Sequence, residues 1–385
     1  MALSLTRVRT YCADIRAVSN GAPPSEEGIL RRLSKIAVVA VVASLALTGC
    51  GNKDTSSKGS TTSKDVCKTA TGSGPKVGLA FDVGGVGDQS FNDSAYAGLS
   101  KAVKELGATC IEGTALDGEA ETARETRLKD MADAGANPII GVGFAYSDAV
   151  NAVAPNYPKV NFAVIDGFDP DAKANANVAY LGFAENEGSY LVGVAAALKS
   201  KANHVGFVGG VHNDLIKKFE AGYVAGAKSI NKDIKFSIRY IQESNLSGFG
   251  DPTGGKQAAA AEFDAGADVV YHASGASGSG VFEAAADAGA GKWAIGVDSD
   301  QYLTADATVK SHILTSMLKR VDVATFNMIK SIADGKPLTS YTTYDLAQDG
   351  VGYSTSGGFI DNIKAQIDEA AAKIKSGAIK VPVKP

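Results

Sequence analysis

From Lys76 onward the chain alternates between short β-branched runs and helical stretches. Strands separated by helices build βαβ units, and these assemble into parallel sheets covered on both faces. One set of strands is expected at 76–82, 108–112, 138–142, 161–166 and 178–183. A second set is expected at 204–208, 235–240, 269–272, 293–297 and 313–317. The first helix begins near Ser90 and carries Phe91, Ala95, Leu99, Ala102 and Leu106, spaced by three and four, which defines one buried face. Further helices are expected over 122–134, 147–154, 185–199, 214–230, 254–265, 279–288 and 321–333. Two such sets predict an α/β protein with two doubly wound parallel-sheet lobes and a ligand cleft between them. In open α/β sheets the ligand binds outside the carboxyl ends of the strands. The residues just after each strand are therefore the informative ones.

The 385 residues suffice for two domains, and a net charge of −4 with a pI near 5.7 argues against the basic face of a nucleic-acid binder. The first 50 residues differ in kind. Arg31, Arg32 and Lys35 precede an apolar run over 36–47. That run is short for a membrane span, which needs about 20 apolar residues, and fits the apolar region of a secretory signal. It ends in Leu47-Thr48-Gly49-Cys50, which resembles a bacterial lipobox, whose cysteine is lipidated and becomes the mature N-terminus. The alternative is a signal anchor with an incidental cysteine. Residues 1–49 are thus expected to be an upstream extension and a lipoprotein signal peptide. Without them the chain has 32 Lys and Arg against 39 Asp and Glu, a net −7. Residues 50–74, rich in Ser, Thr, Gly and Lys, read as a flexible tether. The expected location is the outer face of the cytoplasmic membrane, anchored through Cys50. Two cysteines remain, Cys67 and Cys110. In an oxidising compartment an even pair suggests a disulfide, with two free thiols as the alternative.

The stretch "FDVGGVGDQSFNDSAYAGL" (81–99) runs from a strand through a glycine turn into a helix, like a phosphate cradle. Acids argue against phosphate. Asp82, Asp166 and Asp298 each stand at a strand's carboxyl end and suit a neutral, hydroxyl-rich ligand. Asp88 and Asp93 read instead as turn or cap residues, a common role for Asp. Enzymatic motifs fail individually. "GASGS" (275–279) lacks the last glycine of a nucleophile elbow. "GDPTGGKQ" (250–257) ends in Gln257 where a P-loop needs Ser or Thr. The four histidines show no metal-ligand spacing, so neither a metal nor a cofactor is expected. Phe91 could be core or could face ligand, and Phe249, alone in the loop "NLSGFGDPTGG", could plug a small core or stack on a ring.

At these residues the chain resembles the basic membrane protein family of lipoproteins, the substrate-binding components of nucleoside ABC importers. Further matching stretches are "VGFAYSDAV" (142–150), "FAVID" (162–166), "FAENEGSYLVGVAAAL" (183–198), "FGDPTGGKQAA" (249–259), "HASGASGSGVFEAA" (272–285), "IGVDSDQ" (295–301) and "TSMLKRVDVA" (315–324). The likeness implies a type I periplasmic-binding-protein fold with three crossovers between lobes. It implies no catalysis, a purine stacked between Phe91 and Phe249, polar contacts from Asp82 and Asp166, and a ribose side formed by Gly275, Asp298 and Lys319. Lys319 is expected beside Asp298. Some members carry Asn or Asp after the first Asp; this chain has Val83, with Asn92 as an alternative polar contact. The implied partners are a nucleoside, ABC permease subunits and the bilayer, with the protein itself a monomer. The expected lobes are 75–182 with 299–336, and 183–298 with 337–385. Another small polar ligand such as a sugar, or a surface enzyme of nucleoside chemistry, are the competing readings.

Overall fold

The computed structural model describes residues 66–169 and 175–385, all within one unit, Lys58–Pro385. Cys50, the apolar run before it and most of the tether lie outside the described residues. The ten expected strands are all present, as β1 (Lys76–Phe81), β2 (Thr109–Thr114), β3 (Ile139–Val142), β4 (Phe162–Ile165), β5 (Val178–Phe183), β6 (His204–Val211), β7 (Lys235–Gln242), β8 (Val269–Ala273), β9 (Trp293–Asp298) and β10 (Ile313–Lys319). Two more complete the sheets, β11 (Ser340–Tyr344) and β12 (Val351–Tyr353). The first sheet has the order β11-β5-β4-β3-β1-β2 and is parallel throughout. The second has the order β12-β10-β9-β8-β6-β7 and is parallel except for its edge strand β12.

Helices cover both faces of each sheet. In the first lobe α1 (Val66–Thr69) contacts β2, and α2 (Phe91–Leu106) lies on one face. There it packs against α10, which is defined below. On the other face lie α3 (Glu121–Asp133) and α4 (Ser147–Val153), burying Leu128, Met131, Tyr146 and Val150. In the second lobe α5 (Glu185–Lys199) and α6 (Asp214–Ile230) pack together on one face. Their backbones nearly touch: a Cβ added at Gly193, Gly222 or Gly226 would stand 2.0–2.2 Å from a carbonyl oxygen of the facing helix. This seam holds the first turns of both helices beside the cleft. On the opposite face α7 (Pro252–Asp264) and α8 (Gly278–Asp287) bury Phe263 and Phe282. The remaining helices are α9 (Gln301–Thr304), α10 (Val321–Ala333) and α11 (Lys364–Lys375), and α10 lies against α2. Each fully buried Leu or Phe contributes about 1.5–3 kcal/mol relative to exposure.

The chain crosses between lobes three times. Ala184 links β5 to α5, Arg320 links β10 to α10, and residues 345–350 link β11 to β12. Backbone hydrogen bonds clamp these crossovers together: Ala184 N–H donates to Tyr344 O (3.0 Å) and Arg320 N–H to Gly350 O (2.9 Å). The lobe boundaries read from the sequence need correction. Residues 299–319 do not join the first lobe, because β10 pairs with β9 in the second sheet. Residues 340–344 do not join the second lobe, because β11 pairs with β5 in the first. Strand pairing is a long-range choice that the local pattern does not carry.

Cys67 and Cys110 form a disulfide, with Cα atoms 4.9 Å apart. It fixes the end of the tether region, which is helical over Val66–Thr69 rather than unstructured, to the edge strand β2.

Candidate functional site

A cleft of about 570 Å³, part of it open to solvent, lies where the carboxyl ends of the two sheets meet. Its lining includes all eight residues expected from the sequence: Asp82, Phe91, Asn92, Asp166, Phe249, Gly275, Asp298 and Lys319.

The glycine turn closes one side. Gly84, Gly85 and Gly87 have φ of 95°, 60° and 109°, which only glycine adopts without strain. The turn is no ready phosphate cradle, because carboxylates already occupy the amides at its end and in the first turn of the helix. Asp88 accepts from the N–H groups of Ser90, Asn92 and Asp93 (2.8–3.1 Å), and Asp93 from those of Gly87 and Gln89 (2.6 and 3.0 Å). Asp88 thus does the capping for α2, as read from the sequence. Asn92 turns out to brace this loop: its Oδ1 accepts from Asp82 N–H at 3.0 Å and its Nδ2 donates to Asp88 at 3.0 Å. It lines the cleft with both polar atoms partnered inside the first lobe. Burial pushes the Asp82 carboxyl up to about 6, against the opposing pull of the Val83 N–H and the Arg124 charge.

Aromatic walls come from both lobes. Phe91 opens α2 in the first lobe and Phe249 follows β7 in the second. Phe144, after β3, meets Phe249 edge-on with centroids 6.4 Å apart. Gly275, at φ 55°, passes close beneath Phe249; an added Cβ would stand 3.1 Å from its carbonyl oxygen. Leu215, Ile216 and Phe219 from the first turns of α6 complete the wall. The sequence reading missed these three, though an apolar cluster in the first turns after β6 was a usable signal.

Lys319 ends β10 and is 1% exposed. The sequence reading placed it beside Asp298, and it does lie there, one residue after Leu318, which pairs with Asp298, with the two charges acting on each other; its direct ion-pair partners, however, are two other acids. Its Nζ lies 2.6 Å from Asp166 Oδ2 and 3.2 Å from Glu185 Oε1. Asp298 instead accepts at Oδ2 from Ser90 Oγ, 2.6 Å away across the lobes. Burial alone would lower the Lys319 pKa, but the Asp166, Glu185 and Asp298 charges outweigh it and hold the ammonium firmly protonated. The rings of Phe91, Phe183 and Phe219 surround Nζ at 5.0–5.4 Å, within cation–π range. Burial pushes Asp298 up to about 6, with Lys319 and Ser90 opposing. Asp166 and Asp298 both have left-handed backbone, φ 60° and 63°; such strained non-glycine residues cluster at functional sites. Asp166 Oδ1 is buried without a hydrogen-bond partner. Glu185 was not singled out from the sequence, where it reads as an ordinary helix-opening acid.

Arrangements of this kind bind and orient; among the described residues no cluster suited to hold a metal is present. Comparisons with known proteins agree. Residues 76–384 match the model of the Bmp family, described as ABC transporter substrate-binding protein PnrA-like. The ABC transporter nucleoside-binding protein BmpA of Lactococcus lactis subsp. cremoris is 35% identical over 371 residues, covering 92% of this chain and 99% of that protein. Basic membrane protein A1 of Borrelia garinii subsp. bavariensis is 32% identical, covering 80% of this chain and 88% of its own length. Among solved structures, a solute-binding protein of an ABC transporter system from Aeropyrum pernix K1 is 28% identical with a TM-score of 0.68, covering 80% of this chain and 94% of that one. The family description and the names of the Lactococcus and Aeropyrum proteins are those of binding proteins. The fold, the interlobe cleft and the matched residues place the chain in the Bmp family of PnrA-like ABC transporter substrate-binding proteins.

Proposed function

We propose that the protein captures nucleosides, purine nucleosides in particular, and hands them to the permease of an ABC importer. The observation that carries this reading is a cleft with phenylalanines from both lobes and buried carboxylates at its strand ends. A purine offers two π faces and a hydroxylated sugar, matching aromatic walls and hydrogen-bond acceptors. In this reading Phe91 and Phe249 stack on the base. Asp82 and Asp166 accept from the ligand, Oδ1 of Asp166 being free to do so. Gly275, Asp298 and Lys319 face the ribose. The nucleoside-binding name of the Lactococcus relative supports the ligand class.

Calorimetric titration of Phe91→Ala and Phe249→Ala with inosine, guanosine and adenosine tests the stacking. Each change should cost ~1–3 kcal/mol, the usual size of a stacked aromatic, or about 5- to 150-fold in Kd. A large fall in melting temperature with unchanged affinity would return Phe91 to the core. A sugar binding more tightly than any nucleoside would overturn the ligand class.

The protein would act as a monomer, lipid-anchored at Cys50, which lies outside the described residues. Cys50→Ser should release it from membranes. A variant that still sediments with membranes in high salt would refute the anchor.

A further inference from the structure

We infer that Glu185 is the positioning residue for Lys319, fixing its ammonium within the second lobe so that it meets the ligand's sugar in a set geometry. Lys319 has two carboxylate partners, and they differ in origin. Asp166 follows β4 of the first sheet, so its 2.6 Å pairing with Lys319 spans the two lobes. Glu185 opens α5, which packs on β10 in the second lobe, so its 3.2 Å pairing with Lys319, an ion pair in which Oε1 makes no hydrogen bond, stays within one lobe. Any parting of the lobes stretches the first pairing and leaves the second. A lysine on a flexible four-carbon stem needs such a fixed partner to keep one position.

Glu185 is itself held from behind. It is fully buried, and its Oε2 lies 3.4 Å from Lys218 Nζ on α6, a half-exposed side chain. Glu185 is absent from the cleft lining while Lys319 is part of it. Glu185 therefore acts on a ligand only through Lys319. It sits one residue beyond the Ala184 crossover, and Lys319 one residue before the Arg320 crossover. The pair thus ties together the second-lobe ends of two of the three connections between lobes.

This inference rests on the nucleoside reading, so its test has a ligand-free arm. In 15N-resolved NMR of side-chain ammonium groups, wild type should show a slowly exchanging signal that Lys319→Met abolishes. Glu185→Gln, nearly isosteric, should broaden or lose that signal; an unchanged signal overturns the inference whatever the ligand. In the binding arm Glu185→Gln should weaken nucleosides roughly ten-fold or more, the size of one charge-assisted interaction, and leave free nucleobases unaffected. In a Lys319→Met background the same change should have no further effect on nucleosides. Equal loss for nucleosides and bases, or loss that persists without Lys319, assigns Glu185 a merely structural role. Failure of wild type to bind any nucleoside counts against the parent reading, and the ammonium signal still decides the role of Glu185. Should Glu185→Gln not fold, Glu185→Asp keeps the charge but withdraws it, and should give a smaller loss with the same nucleoside-over-base split.

Discussion

Lys319→Met is expected to destabilise the unliganded protein by about 3–5 kcal/mol, the usual effect of removing one partner from a buried ion pair. The cation neutralises Asp166 and Glu185, and all three side chains are at most 4% exposed. Without it two carboxylates remain buried with only the half-exposed Lys218 nearby. The melting temperature should fall by roughly 5–10 °C, and nucleoside binding should fall with it. The loss should shrink in acid, where the stranded carboxylates can protonate. Lys256 provides the contrast. It pairs with Glu283 and Asp287 at 3.2 and 2.8 Å, but all three side chains are 42% exposed or more. Lys256→Met should leave the melting temperature nearly unchanged, because exposed ion pairs contribute little. Similar losses from the two variants would show that Lys319 is not the electrostatic centre of the cleft.

Stability and affinity are expected to respond to pH in opposite directions. Burial pushes Asp82, Asp88 and Asp298 up to about 6 and Glu262 up to about 8. Between their ordinary values and these raised ones, the folded state binds more protons than the unfolded chain, so their stabilisation is present in acid and lost as pH rises. His272 acts the other way. Burial lowers it to about 4, so its contribution is present above about 6.5 and lost as pH falls. The carboxylates outnumber it. On balance the unliganded protein should lose on the order of 5 kcal/mol between pH 5 and pH 7, at about 1.4 kcal/mol per proton and pH unit. Nucleoside affinity should instead improve over the same range, because Asp82 and Asp298 become acceptor-only and accept more strongly once ionised. Melting curves with and without inosine across this range measure both. A melting temperature that rises steadily from pH 5 to pH 7 without ligand would contradict the burial of these acids.

Asp82 and Asp298 contribute to both effects, and the strand-end acids were the most legible part of the site. Asp82, Asp166 and Asp298 could be picked out because strand periodicity is local and a strand's carboxyl end can be located along the chain. The sequence also pointed to Phe91, Phe249 and the glycine turn; the turn's positive φ values came from the structure. Ten of the twelve strands were readable for the same reason. Two were not: β11, SYTTY, is polar and mostly exposed, and β12 is three residues long.

What the sequence determined by itself is therefore the local alternation, the acids and aromatics that follow the strands, and through them the two-lobed class and its family. Only the tertiary structure decided which sheet receives β10, and hence which lobe owns Lys319. It also decided that Lys319 pairs with Asp166 and Glu185 while Ser90 takes Asp298, and that Asn92 turns inward to hold its loop. The physical reason is distance along the chain. Periodicity and turn chemistry act over a few residues, whereas Lys319 and Asp166 stand 153 residues apart and Ser90 and Asp298 stand 208 apart. Partners that far apart are set by how the sheets assemble, and in a buried, low-dielectric cleft the nearest opposite charge then dominates.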